Sequence, residues 1–326
     1  MILVTGGAGY IGSVTTLALK EEGFEVLVVD DFSKGHRDLA FGDRLEEGDL
    51  RDPAFLEGVF SRYPVEGVLH FAARSLVGES MSDPEGYYDV NLRGTLNLLA
   101  TMRAHGVRRF VLSSTAAVYG DPTEQPISEE APKVPTNTYG ETKLFLEGAL
   151  RRYRDAYGTG SVSLRYFNAA GADPRCRTGE HHVPETHLIP LIFDAIEGRR
   201  KHLTLFGEDY PTLDGTCIRD YVHVTDLAQA HVRALRRLLE APDRCEAFNL
   251  GNGDGHSVRQ VLQVAEKVTG RPIPLEVGPR RSGDPSRLVA SSRKAQEVLG
   301  WVPEHGDLED IVSTAWAWYK KRFPAD

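Results

Sequence analysis

The chain has few cysteines, and they are widely spread. Cys176, Cys217 and Cys245 are the only three in 326 residues, and no two of them share a short metal-ligand spacing. An odd number at such distances argues against a disulfide-stapled secreted scaffold and against a zinc ribbon. It favours a reducing compartment, so we expect a cytoplasmic protein.

Long apolar runs and excess positive charge are also missing. No stretch approaches 18 consecutive apolar residues, so we expect no membrane-spanning helix. The opening Met-Ile-Leu-Val-Thr-Gly lacks the charged and long apolar regions of a signal peptide and predicts a strand from residue 2. The formal net charge is −9, so the overall field repels nucleic acid and anionic membranes. No nucleic-acid or membrane partner is therefore expected.

Short apolar runs alternate with amphipathic segments through the first half of the chain. They predict strands near residues 2–5, 25–30, 67–72, 109–114 and 161–167. Apolar strands separated by helices are typical of a parallel sheet covered on both faces. The sequence therefore predicts an α/β, doubly wound Rossmann-like fold with its ligand crevice at the carboxyl ends of the strands.

Beyond residue 168 the composition changes to stretches rich in Pro, Gly and His, which predict a smaller α/β domain. We assign residues 1–168 to the main domain and residues 169–326 to the smaller one. Residues 222–251 are expected to return to the main sheet, through the apolar run at 247–250. Helices are predicted near 187–198, 225–240, 257–269, 291–299 and 308–322.

A glycine loop follows the first strand directly and opens a helix. Gly6, Gly9 and Gly12 have the spacing that allows a tight turn, close backbone approach to a pyrophosphate, and helix packing. The second strand ends at Asp30, about 20 residues on, where a carboxylate accepts bonds from ribose hydroxyls and repels a 2′-phosphate. The pattern predicts a bound NAD, with NADP left open as a lesser alternative by the nearby Lys34 and Arg37.

Tyr139 and Lys143 lie four residues apart, which places both side chains on one face of a helix. A cation beside a phenol favours its ionised form and lowers its pKa, which makes a general base. Chance alone gives about 0.3 such pairs in a chain of this composition, so the pair is a weak signal by itself. Behind a dinucleotide loop it predicts a redox base.

Several motifs together resemble the extended short-chain dehydrogenase/reductase superfamily over nearly the whole chain. They are the glycine loop, Asp49-Leu50, His70-Phe71-Ala72-Ala73, Asn91, Ser113-Ser114-Thr115, and Tyr139 with Lys143. Within that superfamily the chain is most similar to the UDP-glucose 4-epimerase family. The motifs that carry this likeness are Arg165-Tyr166-Phe167-Asn168, Phe206-Gly207, Tyr210-Pro211-Thr212, Gly215-Thr216, Arg219-Asp220-Tyr221-Val222-His223 and Arg280-Arg281-Ser282-Gly283-Asp284.

The resemblance implies a reversible epimerisation at carbon 4 of UDP-glucose and UDP-galactose, through a transient 4-keto sugar and a tightly held NAD. It implies that Tyr139 is the base, that Lys143 lowers the pKa of Tyr139 and binds the nicotinamide ribose, and that Thr115 hydrogen-bonds the reacting hydroxyl. It also implies a homodimer. Residues 1–168 are then the NAD-binding domain and residues 169–326 the UDP-sugar domain.

The resemblance assigns two sets of binding residues. Those implied for the cofactor are Gly6, Gly9, Tyr10, Ile11, Gly12, Asp30, Asp31, Phe32, Ser33, Lys34, Gly35, Asp49, Leu50, Phe71, Ala72, Ala73, Ser75, Asn91, Ser113, Tyr139, Lys143, Tyr166 and Phe167. Those implied for the substrate are Thr115, Asn168, His187, Leu188, Thr204, Leu205, Phe206, Arg219, Tyr221, Arg281, Asp284 and Leu288.

The chain departs from the family pattern at three positions. Ser75 stands where a cofactor-binding Lys is frequent, and His187 stands where some members have Asn. Leu288 aligns with the residue that gates the hexose pocket, which is Tyr or a smaller residue in several epimerases. A smaller side chain there predicts room for a 2-acetamido sugar.

Ala116 and Ala117 follow Thr115, whereas related dehydratases and decarboxylases carry acidic residues there. Without a carboxylate, elimination at carbon 5 lacks its acid and base, and redox chemistry at carbon 4 remains. Two alternatives stay open: a reductase that exchanges NADPH with solution, and a non-catalytic protein that senses dinucleotides.

The histidines of Glu180-His181-His182, together with His187, raise the question of a metal. The sequence shows neither a helical nor a strand-like ligand spacing around them, and no nearby Cys or carboxylate partner is evident. The expectation is therefore that the protein holds no metal.

Overall fold

A seven-stranded parallel sheet organises the fold of the computed structural model, which describes residues 1–281 and 284–324. The strands are β1 (Ile2–Thr5), β2 (Val26–Asp30), β3 (Arg44–Glu47), β4 (Gly67–His70), β5 (Arg109–Thr115), β6 (Gly160–Tyr166), β7 (Asn168–Ala170), β8 (Leu203–Phe206), β9 (Ile218–Arg219), β10 (Tyr221–His223), β11 (Cys245–Leu250), β12 (His256–Ser257), β13 (Leu275–Gly278) and β14 (Arg287–Leu288).

The helices complete the layers. They are α1 (Tyr10–Glu21), α2 (Pro53–Arg62), α3 (Val77–Ser82), α4 (Pro84–Tyr87), α5 (Gly94–Ala104), α6 (Thr138–Tyr157), α7 (Leu188–Ile196), α8 (Val224–Glu240), α9 (Val258–Thr269), α10 (Arg293–Leu299) and α11 (Leu308–Arg322). Short 3-10 turns lie at Arg37–Leu39 and Ala116–Tyr119, and a π-helical turn lies at Tyr88–Arg93.

The main sheet has the order β11-β6-β5-β4-β1-β2-β3, and all its neighbours run parallel. Because successive side chains of a strand point to opposite faces, each strand feeds two cores. Ile2 and Val4 pack in one core with residues of α1 and α8, and Leu3 packs in the other with residues of α2, α5 and α6. The predicted doubly wound α/β fold is confirmed.

The strand order reverses beside β1, which fixes where a ligand binds. The chain moves from β1 through β2 to β3 on one side, then crosses to β4 on the other. In open parallel sheets the crevice at the carboxyl ends of the strands forms at such a reversal. The glycine loop lies directly there, because it follows β1.

One strand of this sheet was not expected. β3 has the sequence Arg-Leu-Glu-Glu and is largely exposed, so it lacks the apolar run by which the other strands were predicted. Its backbone pairs with β2 from Leu27 to Asp30, and that pairing makes it a strand. An edge strand has little need of apolar side chains on its outer side.

The second half of the chain packs on the main sheet and also forms a separate apolar core. α8 packs against α1, and β11 pairs with β6 along its whole length. α7, α9 and α11 surround a separate apolar core that includes Ile192, Phe193 and Trp316. The division at residue 168, with a return near 222–251, stays a prediction. In the described residues, no helix is both long enough and apolar enough to cross a membrane.

Candidate active site

The glycine loop has no room for side chains at two of its glycines, Gly6 and Gly12. Gly6 has φ +71°, and a Cβ there would lie 2.5 Å from the backbone nitrogen of Ala72. A Cβ on Gly12 would lie 2.2 Å from the carbonyl oxygen of Gly6. Helix α1 begins at Tyr10, and its N-cap Gly9 has no side chain to cap the first amide groups. Those amides and the helix dipole are available to a phosphate group.

Gly12→Ala is expected to abolish retention of NAD through purification. The added methyl overlaps the Gly6 carbonyl, so the loop must move away from the position in which its amides face a pyrophosphate. The absorbance and enzymatic assay of cofactor released by acid from the purified protein measure this. Gly58→Ala is the matched control, because a Cβ at Gly58 meets nothing within 4 Å. NAD content equal to that of Gly58→Ala would contradict the prediction.

Asp30 ties the glycine loop to the end of β2. Its carboxylate accepts hydrogen bonds from the backbone N–H of Ala8 at 2.9 Å and of Phe32 at 2.9 Å. Burial raises the pKa of Asp30, and the two backbone bonds oppose that change. The segment after β2 packs closely against Asp30, because a Cβ on Gly35 would lie 2.7 Å from an Asp30 carboxylate oxygen.

The cations near Asp30 are engaged elsewhere. Lys34 donates from Nζ to the carbonyl of Val183 at 3.1 Å, and Arg37 pairs with Glu47 at 2.5 Å. Neither is held beside the Asp30 carboxylate by these contacts. The Asp30 carboxylate would therefore repel a 2′-phosphate at this end of the groove, and neither Lys34 nor Arg37 is held in place to offset that repulsion. This arrangement favours NAD over NADP.

The other predicted cofactor residues lie along the carboxyl edges of the strands. Asp31 accepts bonds from Ser33, and Asp49 pairs with Arg51, while Leu50 is buried. The ring of Phe71 packs against His231 with centroids 4.6 Å apart. Ile11, Ala72, Ala73 and Phe167 are partly buried, and Ser75 is exposed. The neighbouring Arg74 is paired with Glu79 and Asp83, so it does not replace the missing Lys as a free cation.

Asn91 lies in the π-helical turn before α5 and is almost fully buried. Its amide oxygen accepts from the Arg74 N–H at 2.8 Å, and its nitrogen donates to the Arg74 carbonyl at 3.0 Å and to Thr142 Oγ1 at 3.2 Å. Thr142 lies between Tyr139 and Lys143 on α6. Asn91 therefore holds the segment after β4 against the helix that carries the expected base.

The three predicted catalytic residues converge. Tyr139 and Lys143 share one face of α6, whose start is capped by Asn137 accepting from the Gly140 N–H at 2.8 Å. Lys143 Nζ lies 5.9 Å from the centroid of the Tyr139 ring. Thr115 ends β5, and its hydroxyl faces the Tyr139 phenol and also accepts from the Ala117 N–H. The end of β5 and the first two turns of α6 thus bring a hydroxyl, a phenol and an ammonium close together.

The electrostatics of this group differ from the expectation. Burial raises the pKa of Tyr139 to about 12, and the Thr115 hydroxyl opposes that rise. Burial lowers the pKa of Lys143 to about 8, and Glu147 opposes that fall. In the protein alone the pKa of Tyr139 therefore shifts away from neutrality, opposite to the direction expected from the spacing of Tyr139 and Lys143, and the roles of both residues stay predictions. Both groups lose water, and at 5.9 Å from the ring the ammonium does not offset that loss.

A buried ion pair behind Lys143 was missed in the sequence. Glu147 accepts from Arg165 Nε at 2.9 Å and from Ser114 at 2.7 Å, and both side chains of the pair are only 3% exposed. Arg165 also donates to Tyr119, which in turn donates to Asn249. The signal was present, since Glu147 follows Lys143 by four residues on the same helix face. The network joins β5, β6 and α6 beneath the reacting groups.

Ser113 and Tyr166 contact each other through their hydroxyls on neighbouring strands of the main sheet. Tyr166 is buried, which raises its pKa, and Tyr139 contributes to that rise by its proximity. The pair therefore lies beside the expected base, where it was predicted to contact the cofactor.

Several of the predicted substrate residues lie on the short strands β7, β9 and β10 and in the segment before β14, which we call the second wall of the site. Asn168 and Tyr221 are paired in register on β7 and β10. Arg219 pairs with Asp284, and the Arg281 guanidinium lies over the ring of Phe206, 4.9 Å from its centroid. Arg281 and Asp284 also line a recess with Tyr210 and Arg280. Two arginines at this place suit a diphosphate. Ser282 and Gly283 of the same motif lie outside the described residues.

Two predicted substrate contacts are not brought to this wall by their side chains. Leu205 is 1% exposed and lies inside strand β8, whereas its neighbours Thr204 and Phe206 point to the other face. The alternation of side chains along a strand explains this correction. His187 is the N-cap of α7 beside Leu188, but its side chain makes no cap bond and contacts Glu180 and Glu185 instead.

Leu288 lies beside one of these predicted substrate residues, Arg219. It belongs to β14, pairs in register with Arg219, and packs partly buried in a cluster with Val118 and Phe167. Val118 lies in the turn that follows Thr115. A larger side chain at position 288 would therefore press on a cluster that includes Val118, three residues after Thr115.

Comparison with known proteins gives consistent matches. The model of the NAD dependent epimerase/dehydratase family matches residues 2–251. A UDP-glucose 4-epimerase from Halalkalibacterium halodurans is 52% identical over 320 residues, which cover 98% of this chain and 96% of that protein. A crystal structure of a UDP-glucose 4-epimerase has a TM-score of 0.97 at 48% identity and covers 100% of this chain and 99% of that one. The Brucella ovis enzyme in complex with NAD has a TM-score of 0.95 at 45% identity, with 98% of each chain covered.

Proposed function

Because this chain belongs to the NAD dependent epimerase/dehydratase family, we propose that it interconverts UDP-glucose and UDP-galactose by inverting carbon 4 of the hexose. The observation that carries this is the convergence of Tyr139, Lys143 and Thr115 at the carboxyl edge of the sheet, next to the glycine loop. The turn after Thr115 begins with two alanines, so no carboxylate stands there to drive elimination.

The residues present fit a dinucleotide. The side-chain-free cradle at Gly6 and Gly12 accepts a pyrophosphate, and Asp30 is placed for ribose hydroxyls. Lys143 is 1% exposed, and in the described parts of the chain no carboxylate lies within 4.0 Å of its Nζ. A buried ammonium in that situation suits hydroxyl acceptors such as those of a nicotinamide ribose. When bound, NAD supplies a hydride acceptor and donor at carbon 4.

We propose that side chains of the protein transfer the proton of the 4-hydroxyl group. Tyr139 takes the proton of the 4-hydroxyl as that carbon is oxidised, and later returns a proton to the same oxygen. Thr115 orients the hydroxyl by hydrogen bonding, and Lys143 favours the phenolate once its own charge is held in the site. Arg219 and Arg281 hold the diphosphate, which leaves the hexose free to present its other face. No net oxidation results.

The test is turnover without added cofactor. Purified protein given UDP-galactose alone is expected to form UDP-glucose, as followed by chromatography of the two sugars, and to release NAD on denaturation. A reductase would need NADPH in solution and would leave no equilibrium mixture. A dinucleotide sensor would bind NAD without turnover, so absence of interconversion by NAD-loaded protein would overturn the proposal.

We infer that Leu288 widens the hexose pocket enough for a 2-acetamido group. Leu288→Tyr is expected to reduce kcat/KM on UDP-N-acetylglucosamine by roughly 10-fold or more, because the larger ring fills the space beside Val118 and Phe167. Conversion of UDP-galactose is the internal control and should persist. Equal inactivity of the wild type and the variant on the N-acetyl sugar would contradict the inference.

We further propose a homodimer formed through α3, the π-helical turn and α6. Val77, Met81, Tyr88 and Phe145 are large apolar side chains exposed on these elements, which pack against one another. Such an exposed apolar patch is typical of an interaction surface. An isologous pairing of the same patch on two copies would cover it.

Phe145→Glu is expected to convert the dimer to a monomer. A carboxylate on the exposed face of α6 would be buried without a partner in such a dimer but hydrated in the monomer. Multi-angle light scattering over a concentration series measures the mass. Leu213→Glu is the control, since Leu213 is fully exposed and lies in another part of the chain. An unchanged mass in Phe145→Glu would exclude this surface.

The cytoplasm is the compartment that we propose for this activity. Cys176, Cys217 and Cys245 are all free thiols in the structure, which supports a reducing environment.

A further inference from the structure

The segment between β7 and α7 gathers two imidazoles around one carboxylate. Glu180 Oε1 lies 2.9 Å from His187 Nδ1 and 3.3 Å from His182 Nε2. All three ligand atoms lie within 4.8 Å of one another. Glu185 is a second carboxylate beside them, 3.0 Å from His187 Nδ1. Glu180 stands two residues before His182 in the chain, and the fold of the following residues brings His187 to this pair.

We propose that Glu180, His182 and His187 bind a divalent transition metal, and that Zn²⁺ is the ion they suit best. Two imidazole nitrogens and one carboxylate oxygen are a common protein ligand set for zinc. Zinc bonds of about 2.0–2.1 Å in a tetrahedron separate neighbouring ligand atoms by about 3.4 Å. The two separations from Glu180, 2.9 and 3.3 Å, are close to that value, and all three ligand atoms lie within 4.8 Å of one another, so small side-chain movements bring them to one ion.

The negative charges of the two carboxylates also favour binding of a cation. Glu180 is 9% exposed, and a buried carboxylate without positive charge is costly. Glu185 adds a second negative charge, so with neutral imidazoles the cluster has a charge of −2. A divalent cation bound by these residues neutralises both carboxylates.

Access and position indicate a structural role. His182 is 27% exposed and His187 44% exposed, so an ion can enter from solvent. The same segment touches the cofactor groove, because Thr178 bonds to Ser13 at 2.6 Å, and the His182 ring lies 6.2 Å from that of Tyr10. A metal would fix this segment over the first turn of α1 and so strengthen the retention of the cofactor.

The experiment uses full-length protein dialysed against EDTA and then against metal-free buffer. Titration with Co²⁺ is expected to give the visible absorption bands of a tetrahedral site at one ion per chain, and Zn²⁺ is expected to displace them. Glu180→Gln and His182→Ala should each weaken binding by roughly 10-fold or more. His181→Ala is the matched control, because His181 stacks on His36 outside the cluster and should bind as the wild type does.

Three results would overturn the proposal. They are a wild type that takes up no more than a small fraction of one ion per chain, an affinity that is the same in Glu180→Gln and His182→Ala as in the wild type, and an equal loss in His181→Ala. Circular dichroism and NAD content, measured on each variant before titration, separate loss of ligand atoms from loss of fold. The metal readout does not depend on turnover, so failure of the proposed epimerase activity would leave it unaffected.

Discussion

Tyr139→Phe is expected to lower kcat for UDP-galactose conversion by roughly 10²–10⁴-fold, the range that a positioned general base contributes. The substitution removes one oxygen and leaves the ring that packs in the first turn of α6. NAD content, secondary structure and KM should therefore stay close to those of the wild type. Initial rates with UDP-galactose at several concentrations separate the effect on kcat from that on KM.

The control for this variant is Tyr157→Phe. Tyr157 ends the same helix, is exposed, and packs against Tyr153 and the guanidinium of Arg103. Its loss should change the rate less than about twofold, since exposed substitutions away from the site are nearly neutral. If Tyr139→Phe kept more than a tenth of the wild-type kcat, another group would have to be the base.

Arg165→Met is expected to lower the free energy of unfolding by about 3–5 kcal/mol, because it leaves the Glu147 carboxylate buried without its cation. Ser114 would still donate one hydrogen bond to that carboxylate, but Tyr119 would lose its guanidinium partner as well. The loss should also disturb α6 where it carries Lys143. Urea unfolding of the NAD-loaded protein, followed by circular dichroism, measures the change.

Two companion variants make this measurement specific. Arg154→Met removes an exposed pair with Asp155 and should change stability by less than about 1 kcal/mol. The double variant Arg165→Met/Glu147→Leu removes both buried charges and should recover much of the loss, since an apolar pair can replace a buried ion pair. An Arg165→Met protein as stable as Arg154→Met would show that Glu147 does not depend on Arg165.

The sequence was most informative where the cause of a structure is local. The glycine loop was predicted because strand β1, the glycine spacing and the start of α1 are continuous in the chain. The placement of Tyr139 and Lys143 on one face followed from the helical repeat alone. The NAD dependence and the epimerase family, expected from motifs, are confirmed by the family model and by the relatives.

What could not be predicted depends on groups that are distant in the chain. The upward shift in the pKa of Tyr139 arises from burial by several elements, which a spacing of four residues does not reveal. Strand β3 exists because β2 pairs with it from Leu27 to Asp30.

The late position of β11 in the chain affects how the protein folds during synthesis. A nascent chain that has left the ribosome only as far as β6 has six strands of the main sheet, but β6 has no neighbour on its outer side. All seven residues of β6 are buried in the finished protein, where α8 and β11 cover them. Until residue 250 emerges, that strand is an open edge whose unpaired backbone groups can pair with another chain. Translation must therefore deliver about half of residues 169–326 before the outer edge of β6 is covered.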